Sequence, residues 1–256
     1  MNFIIQNIEL ILLFFGIALL YSSVGFGGGS SYLAILTLLG IEFRTLRAIS
    51  LLCNITVVSN GSFQFYRQGF LKFKKVVPLV LFSIPMAYFG GRIPIQEEIF
   101  FIILGIALLL AALLMWIQKS LQMSLVSMNT ETWWFNGLIG GSIGFLSGLV
   151  GIGGGIFLSP VLYLLKWDEA KVISATASFF ILVNSISGLA GQASSPEFQI
   201  DLLLALTLMA SVALGGLIGT YVGTKRFKAV TVRRATAILV AYVGVRILIK
   251  YIGQWL

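Results

Sequence analysis

Two short glycine runs inside long apolar stretches constrain the fold of this chain more than any other feature. The first run is Gly25-Phe26-Gly27-Gly28-Gly29, and the second is Gly151-Ile152-Gly153-Gly154-Gly155. Three consecutive glycines should break a helix, because each costs about 1 kcal/mol relative to alanine in a helix interior. The backbone N–H and C=O groups that such a break frees need hydrogen-bond partners in apolar surroundings. We therefore expect both runs to lie inside the protein, beside a cavity.

The composition indicates that these surroundings are a membrane. The chain is 58% hydrophobic and 10% charged, with a mean hydropathy of +1.00. Its apolar runs reach the length of about 20 residues that spans a bilayer. A net charge of +8 would suggest a nucleic-acid partner in a soluble protein, but here the basic residues gather in short loops, where they act as topology signals. The sequence predicts an integral membrane protein that contacts lipid and no nucleic acid.

Ten apolar segments follow one another along the chain. Two of them come directly after the glycine runs and are too short to span a bilayer at about 1.5 Å per residue. We expect these two, 29–40 and 155–165, to be half-helices or tilted returns. The full set lies at roughly 7–24, 29–40, 48–66, 76–91, 99–118, 133–150, 155–165, 172–190, 200–222 and 232–252.

The first five segments resemble the second five, which indicates an internal duplication. Because five is an odd number, the second copy should enter the membrane from the opposite side. We predict an all-α polytopic membrane protein in which two inverted-topology repeats, 1–125 and 126–256, form one transmembrane domain. The matches are Ile49-Ser50 with Ile173-Ser174, Asn60 with Asn184, Gln68 with Gln192, and Gly90-Gly91 with Gly215-Gly216.

The basic residues favour the inverted arrangement. If each glycine run marks a hairpin of two segments, most basic residues, including those of loops 67–75 and 223–234, fall on one face. If each interrupted stretch crossed the membrane once, loop 67–75 would share a side with 191–199, which has no basic residue. The positive-inside rule then places both termini outside the cytoplasm. The opposite face receives Arg44, Arg47 and Arg92 in loops, with Arg246 and Lys250 near the last helix end.

Side chains for catalysis or metal binding are scarce. The chain has no histidine and one cysteine, Cys53, so neither an intrachain disulfide nor a CxxC pair can form. The nine acidic residues fall in loops or near segment ends, and no carboxylate pair lies clearly within a span. We therefore predict a protein that is not an enzyme and that uses no metal or cofactor.

The third segment of each half carries a polar stripe. Positions that step by alternating four and three residues share one helical face. A small and polar stripe at matched positions is either a close helix-packing surface, which is the commoner cause, or the wall of a polar pathway. The stripes are Ser50, Asn54, Val57, Gly61, Gln64 and Gln68, and Ser174, Ser178, Ile181, Ser185, Gly188 and Gln192, flanked by Asn60 and Asn184.

The glycine runs favour a binding role over packing alone. If the short segments after them are helical, their N-termini present unpaired N–H groups and about half a positive elementary charge at buried depth. An anion could bind there without a buried lysine or arginine, which would cost about 2.5 to 3.5 kcal/mol. The alternative is that the glycines only permit close helix crossing. The candidate substrate-binding residues are Ser23, Gly27, Gly28, Gly29, Ser30, Ser50, Asn54, Asn60, Gly153, Gly154, Gly155, Ser174, Ser178 and Asn184.

The duplicated G-x-G-G-G motif, with Pro160 after the second run and Gly-Gly pairs near 90 and 215, resembles the TauE/SafE sulfite exporter family, also called the TSUP permeases. The resemblance covers essentially the whole chain. It implies a bacterial-type inner-membrane permease for small sulfur-containing anions such as sulfite, thiosulfate, sulfoacetate or other organosulfonates, with the family's glycine motifs on the two runs. The first half has Ala34 where the second has Pro160, so the two half-sites should differ in shape.

The working hypothesis is anion export by alternating access between the halves, with a homodimer considered as the assembly. A uniporter driven by the membrane potential is sufficient, at about 2.3 kcal/mol per charge per 100 mV. One rival is a metal or cation transporter, which would normally carry intramembrane acids, histidines or Met-x-x-Met clusters. The other is a membrane scaffold that does not transport. Cys53 and Arg246 are interpreted as a buried hydrophobe and a snorkelling side chain rather than substrate contacts.

Overall fold

The computed structural model describes residues 7–23, 27–120, 133–222 and 229–252, and within these ranges it contains ten α-helices and no strand. Each helix lies on one of the ten predicted segments, so the all-α fold class is confirmed. The helices are α1 Ile8–Ser23, α2 Gly29–Leu38, α3 Phe43–Arg67, α4 Phe73–Arg92, α5 Glu97–Ser120, α6 Trp133–Val150, α7 Gly155–Leu164, α8 Ala170–Ala193, α9 Leu202–Val222 and α10 Ala229–Ile252.

Five of the described helices are long and apolar enough to cross a bilayer, namely α4, α5, α8, α9 and α10. Helices α1, α2 and α7 are apolar but shorter. Large apolar side chains such as Leu12, Trp116, Leu138 and Leu217 are more than half exposed on the outer surface, where lipid tails would cover them. The chain is a multi-pass membrane protein, as predicted.

Helix packing follows the same pattern in both halves. Helix α1 packs along α9, and its counterpart α6 packs along α4. The half-helices α2 and α7 contact α10 and α5 respectively, while α3 crosses α8 and α5 crosses α10. These contacts of one half are thus repeated by the equivalent helices of the other. This pattern is consistent with two inverted repeats, although the predicted boundary at 125/126 lies outside the described residues.

Glycines on α6 let that helix press against the main chain of α4. A Cβ atom added to Gly140, Gly144 or Gly148 would overlap backbone atoms of α4. Along α9, a Cβ atom on Gly215 or Gly219 would overlap a backbone carbonyl of α1. In each pair of helices, the residue numbers of both partners increase in the same direction, so both pairs are parallel. The contacts are Gly140 with Leu79, Gly144 with Ser83 and Gly148 with Ala87, and Gly215 with Phe15 and Gly219 with Leu19.

Ion pairs between loops define the two ends of the bundle. At one end, Lys72 and Lys75 beside the start of α4 bind Asp168, which follows α7, at 3.1 and 2.9 Å. Because α6 runs parallel to α4, α7 returns to the end from which α6 starts. At the other end, Arg44 at the start of α3 binds Glu197, which precedes α9, at 2.8 Å. Since α1 runs parallel to α9, α2 likewise returns, so both glycine runs mark hairpins.

The pair of lysines keeps the Asp168 carboxylate ionised. Partial burial by itself raises the pKa of Asp168, but hydrogen bonds from Lys75, the Glu169 amide and Lys72 outweigh it, and the pKa lies below its ordinary value. The link between these two loops is therefore present across the physiological pH range and is lost only as the pH falls through that lowered value.

Three arginines that the sequence analysis assigned to loops lie within helices instead. Arg44 and Arg47 belong to α3, which begins at Phe43 rather than near residue 48. The cause is the N-cap residue Glu42, whose carboxylate accepts a 2.8 Å hydrogen bond from the Thr45 amide. This cap satisfies one of the unpaired first-turn donors, so the helix starts upstream of its apolar part. Arg92 is likewise the last residue of α4.

The close packing of α4 and α6 can be tested with two neighbouring glycines. We expect Gly140→Ala to lower the free energy of unfolding by about 1 to 3 kcal/mol, because its Cβ atom would overlap the main chain at Leu79. The matched control is Gly141→Ala, whose Cβ atom would have its nearest neighbour, the Cβ atom of Phe82, at an ordinary 3.6 Å. Thermal unfolding of the detergent-solubilised protein measures both. Equal melting temperatures would contradict the packing described.

The predicted orientation in the membrane can be tested with reporter fusions. With the basic loops on the cytoplasmic side, a reporter at the C-terminus should lie outside the cytoplasm, so fused alkaline phosphatase should be active and fused green fluorescent protein should be dark. A fusion truncated directly after Asp168 should give the reverse result. Bright fluorescence from the C-terminal fusion would refute this orientation.

Candidate functional site

The first glycine run ends in the N-terminus of α2. Gly28 is the N-cap residue of that helix, and the first main-chain bond of the helical pattern runs from the Tyr32 amide to the Gly28 carbonyl at 2.9 Å. The N–H groups of Gly29, Ser30 and Ser31 therefore have no intrahelical acceptor. Gly28 and Gly29 are buried. Gly25 and Phe26 lie outside the described residues.

The second run forms a tight turn that needs glycine. Gly151, Gly153 and Gly154 have φ angles of +84°, +84° and +83°, a left-handed region that side chains disfavour. Helix α7 begins at Gly155, and the amides of Phe157 and Leu158 both donate to the Gly154 carbonyl, at 3.1 and 3.0 Å. Residues 151–155 are all buried. The predictions that this run breaks a helix and faces the protein interior are confirmed.

A side chain of α3 joins the two turns. Asn54, which is fully buried, donates from Nδ2 to the Ile152 carbonyl at 2.8 Å. A Cβ atom on Gly29 would overlap both the Asn54 amide and the Ile152 oxygen. Ser50, one turn earlier on α3, donates to the Gly29 carbonyl at 3.0 Å. The two glycine turns therefore meet at the middle of α3, and both of these capped groups are carbonyls.

Two buried polar atoms at this meeting point have no partner among the described residues. They are Asn54 Oδ1 and Ser185 Oγ. The first lies 2.9 Å from the Cβ position of Gly27, and the second lies 2.8 Å from that of Gly153. Ile181 Cγ2 is within 3.3 Å of both Cβ positions and forms an apolar wall. Glycine at positions 27 and 153 thus lets these two polar atoms lie close to the main chain of both turns.

Ser185 was not among the predicted site residues, although it lies on the α8 polar stripe. Its place on this stripe indicated a polar face of α8, but the stripe alone did not show which of its serines faces the turns. Tyr32 was also missed: it is fully buried beside Gly28, and its hydroxyl has no partner in the described part of the chain.

Other predicted site residues lie at helix contacts instead. Ser178 bonds Ser62 of α3 at 3.0 Å, and Asn184 donates to Ser83 of α4 at 2.9 Å. This part of the stripes is a packing surface. Asn60 accepts only a long 3.5 Å bond from Gln64, Ser174 is partly exposed, Ser23 donates to the Leu20 carbonyl at 2.6 Å, and Ser30 lies beside the Tyr21 hydroxyl.

The two half-sites differ in backbone shape. The N-cap residue Gly28 has φ −96°, whereas its counterpart Gly154 has φ +83°. This agrees with the expectation raised by Ala34 and Pro160, which both lie buried inside their half-helices. A ligand between the turns would meet two unlike surfaces.

Arg47, which the sequence analysis placed in a loop, lies buried beside the second turn instead. Arg47 is only 6% exposed and lies directly against the second turn, because the Cβ position of Gly151 is 3.2 Å from its Cα and Cβ atoms. A buried arginine therefore flanks the site. The sequence analysis did not foresee it, because α3 starts upstream of the predicted segment. Cys53 is fully buried in the hydrophobic core. Within the described ranges there is no group of three or more metal-ligating side chains.

Comparison with known proteins points to one family. The profile of the family described as "Sulfite exporter TauE/SafE" matches residues 10–247. The chain is 31% identical over 249 residues to the probable membrane transporter protein y4hK of Sinorhizobium fredii, covering 95% of this chain and 98% of that protein. It is 26% identical over 236 residues to the probable membrane transporter protein YjnA of Bacillus subtilis, covering 86% and 91%. No solved structure matches.

The role of Asn54 can be tested against a second asparagine of the same helix. We expect Asn54→Ala to lower the free energy of unfolding by about 1 to 3 kcal/mol, because the buried Ile152 carbonyl loses its donor. Asn60→Ala should change it by less than about 0.5 kcal/mol, since Asn60 is half-buried and makes only one long bond. Thermal unfolding in detergent measures the difference. Similar values for the two variants would show that Asn54 does not join the turns.

Proposed function

Because the chain belongs to the TauE/SafE sulfite exporter family, whose matched relatives are named membrane transporters, we propose that it exports a small sulfur-containing anion by alternating access between its two halves. The substrate class is sulfite, thiosulfate or an organosulfonate. The observation that carries this proposal is the meeting of the two glycine turns at Asn54.

The charge preference follows from which backbone groups are already bound. Side chains of α3 cap carbonyls of both turns, those of Gly29 and Ile152. The N–H groups at the starts of α2 and α7 have no intrahelical acceptor. Each helix start also carries about half a positive elementary charge. A site that offers amides and covers its carbonyls favours an anion, whereas a cation site would expose carbonyls.

One unpartnered acceptor also lies where the two turns meet. Asn54 Oδ1 has no partner in the described structure, and Ser185 Oγ can either donate or accept. An oxyanion that still carries a hydroxyl, such as hydrogen sulfite, would satisfy both the amides and Asn54 Oδ1. A fully deprotonated divalent anion such as sulfate would place an oxygen against that acceptor. We therefore propose a preference for hydrogen sulfite, and for sulfonates whose organic group faces the acceptor, over the divalent anions sulfate and thiosulfate.

Movement would occur between the two halves. Helices α3 and α8 cross at the centre, and each half-helix packs on the last helix of the other half. Rocking of the halves would open the turns first to one face and then to the other. The chain contains no histidine, so we propose uniport driven by the membrane potential, which expels a single negative charge from a negative interior with about 2.3 kcal/mol per 100 mV.

Valine in place of Gly28 or Gly154 would block the turns but would also disturb folding. The Cβ atom would lie 2.7 Å from the Tyr32 ring in the first case and 2.9 Å from the Phe180 ring in the second. Ser185→Ala is a cleaner substitution, because the removed hydroxyl has no partner among the described residues. Ser178→Ala is its matched control on the same helix, where the lost partner is Ser62.

We expect proteoliposomes containing the wild-type protein to carry radiolabelled sulfite, with competition by methanesulfonate and weaker competition by the divalent anions thiosulfate and sulfate. Ser185→Ala should raise the half-saturation concentration by about two- to tenfold, the value of one neutral hydrogen bond. Ser178→Ala should leave it within about twofold. Varying the membrane potential and the pH gradient separately tests the coupling.

Three results would count against the proposal. Transport of metal ions without anion flux would support a cation transporter, and no flux of any solute would support a scaffold. Equal half-saturation for Ser185→Ala and the wild type would move the binding site away from the glycine turns.

A further inference from the structure

A buried arginine of α3, Arg47, lies on the outer side of the glycine turns. The site described above does not use it. Arg47 is 6% exposed, and its backbone packs against Gly151, the first residue of the second turn. Its guanidinium lies over the ring of Phe100, 5.5 Å from the centroid. Burying such a charge without a carboxylate partner costs free energy. A functional role for Arg47 would account for that cost.

The hydrogen-bond donors of this guanidinium are largely unused. One terminal nitrogen donates to the Gly148 carbonyl over a long 3.5 Å, and Nε has no partner among the described residues. Arginine carries five N–H donors in a fixed fork that suits carboxylates and other oxyanions. The Glu42 carboxylate is near enough to attract the Arg47 guanidinium electrostatically, but it accepts its hydrogen bond from the Thr45 amide.

A second unused donor lines the same cleft. Gln192, near the end of α8, is 5% exposed, and its Nε2 has no partner in the described structure. Arg47 and Gln192 both line a cleft of about 30 Å³. The charged residues at this cleft besides Arg47 are Arg44 and Glu197, which bind each other at 2.8 Å and are partly exposed.

These groups are ordered along a line from the surface to the centre. The Arg44–Glu197 pair lies at the surface, and the two buried donors Arg47 and Gln192 lie below it. Arg47 contacts Gly151 of the second turn, and the next residue, Ile152, is bound to Asn54. A solute that leaves the glycine turns toward this face would meet the buried donors next.

We propose that Arg47 and Gln192 form a second binding station for the transported oxyanion, between the glycine turns and the outer face. This inference rests on the proposed function. The unpartnered buried atoms of the station, Arg47 Nε and Gln192 Nε2, are both donors, and the carboxylate at its mouth is held by Arg44. The cleft has room for about one or two water molecules in this conformation, so an anion enters it when the outer ends of the helices separate.

A purely structural role for Arg47 makes a different prediction. A cation near the C-terminal end of α6 stabilises that helix through its dipole, and the bond to the Gly148 carbonyl is of this kind. In that case, substitution should lower the melting temperature and leave substrate affinity unchanged from both sides. A binding station should instead change the affinity measured from one side.

The test uses the full-length protein in oriented proteoliposomes at zero membrane potential, with labelled sulfite. We expect Arg47→Gln to raise the outer half-saturation concentration about tenfold and the inner one by less than about twofold. At zero membrane potential, the maximal rate divided by the half-saturation concentration must be equal in both directions. The ratio of maximal uptake rate to maximal efflux rate should therefore rise by the same factor as the outer half-saturation concentration. Arg47→Lys, which keeps the charge but not the fork, should give an intermediate value. Arg92→Gln, an exposed arginine at the end of α4, is the control and should change neither value by more than about twofold.

Equal changes on both sides, or a lower melting temperature with unchanged half-saturation, would overturn the station. If Arg47→Gln does not fold, Arg47→Lys carries the same comparison. If the wild type moves no sulfur anion, the proposed function fails. Equilibrium binding of sulfite to the detergent-solubilised protein then tests the station alone: Arg47→Gln should bind about tenfold more weakly than Arg92→Gln, and equal or absent binding would refute it.

Discussion

Main-chain polar groups at a helix break inside a membrane must find partners, and the centre of this protein is arranged around that requirement. Helix α3 supplies Ser50 and Asn54, which bind the carbonyls of Gly29 and Ile152. No equivalent side chain takes up the amides at the starts of the half-helices in the described contacts. The protein thereby completes one half of the hydrogen bonding and leaves the other half for a solute. Under the proposed function, anion preference would result from this division without a charged side chain at the centre itself.

The centre is less symmetric than the helix arrangement around it. Both halves repeat the same helix contacts, yet Asn54 joins the turns while Ser178, on the matched position of α8, bonds Ser62 at a helix crossing. Ser185 faces the second turn in its place. A bound oxyanion would therefore have a preferred orientation. Under the proposed function, substrate selectivity would depend on these few unmatched residues, because the backbone donors alone would accept many small anions.

Sequence reasoning was most successful where the cause is local. Apolar length and consecutive glycines predicted the ten helices and the two breaks, since both effects act through neighbouring residues. The two stripes were more difficult, because helix rotation is set by distant contacts such as that of Gly148 with Gly188. Matched asparagines show this: Asn184 reaches Ser83 of α4, whereas Asn60 meets only Gln64. Arg47 was misplaced because the Glu42 cap extended α3 beyond its apolar part.

The exchange of partners between the halves has a consequence for how the protein is made. Helix α1 enters the bilayer first, but its packing partner α9 begins only at Leu202. At a synthesis rate of about 5 to 20 residues per second, the ribosome needs roughly 10 to 40 s to deliver that partner. During this wait the polar backbone of the first turn has none of its mature neighbours from the second half. A membrane insertase or the lipid headgroup layer would have to shelter the nascent hairpin until the later helices arrive.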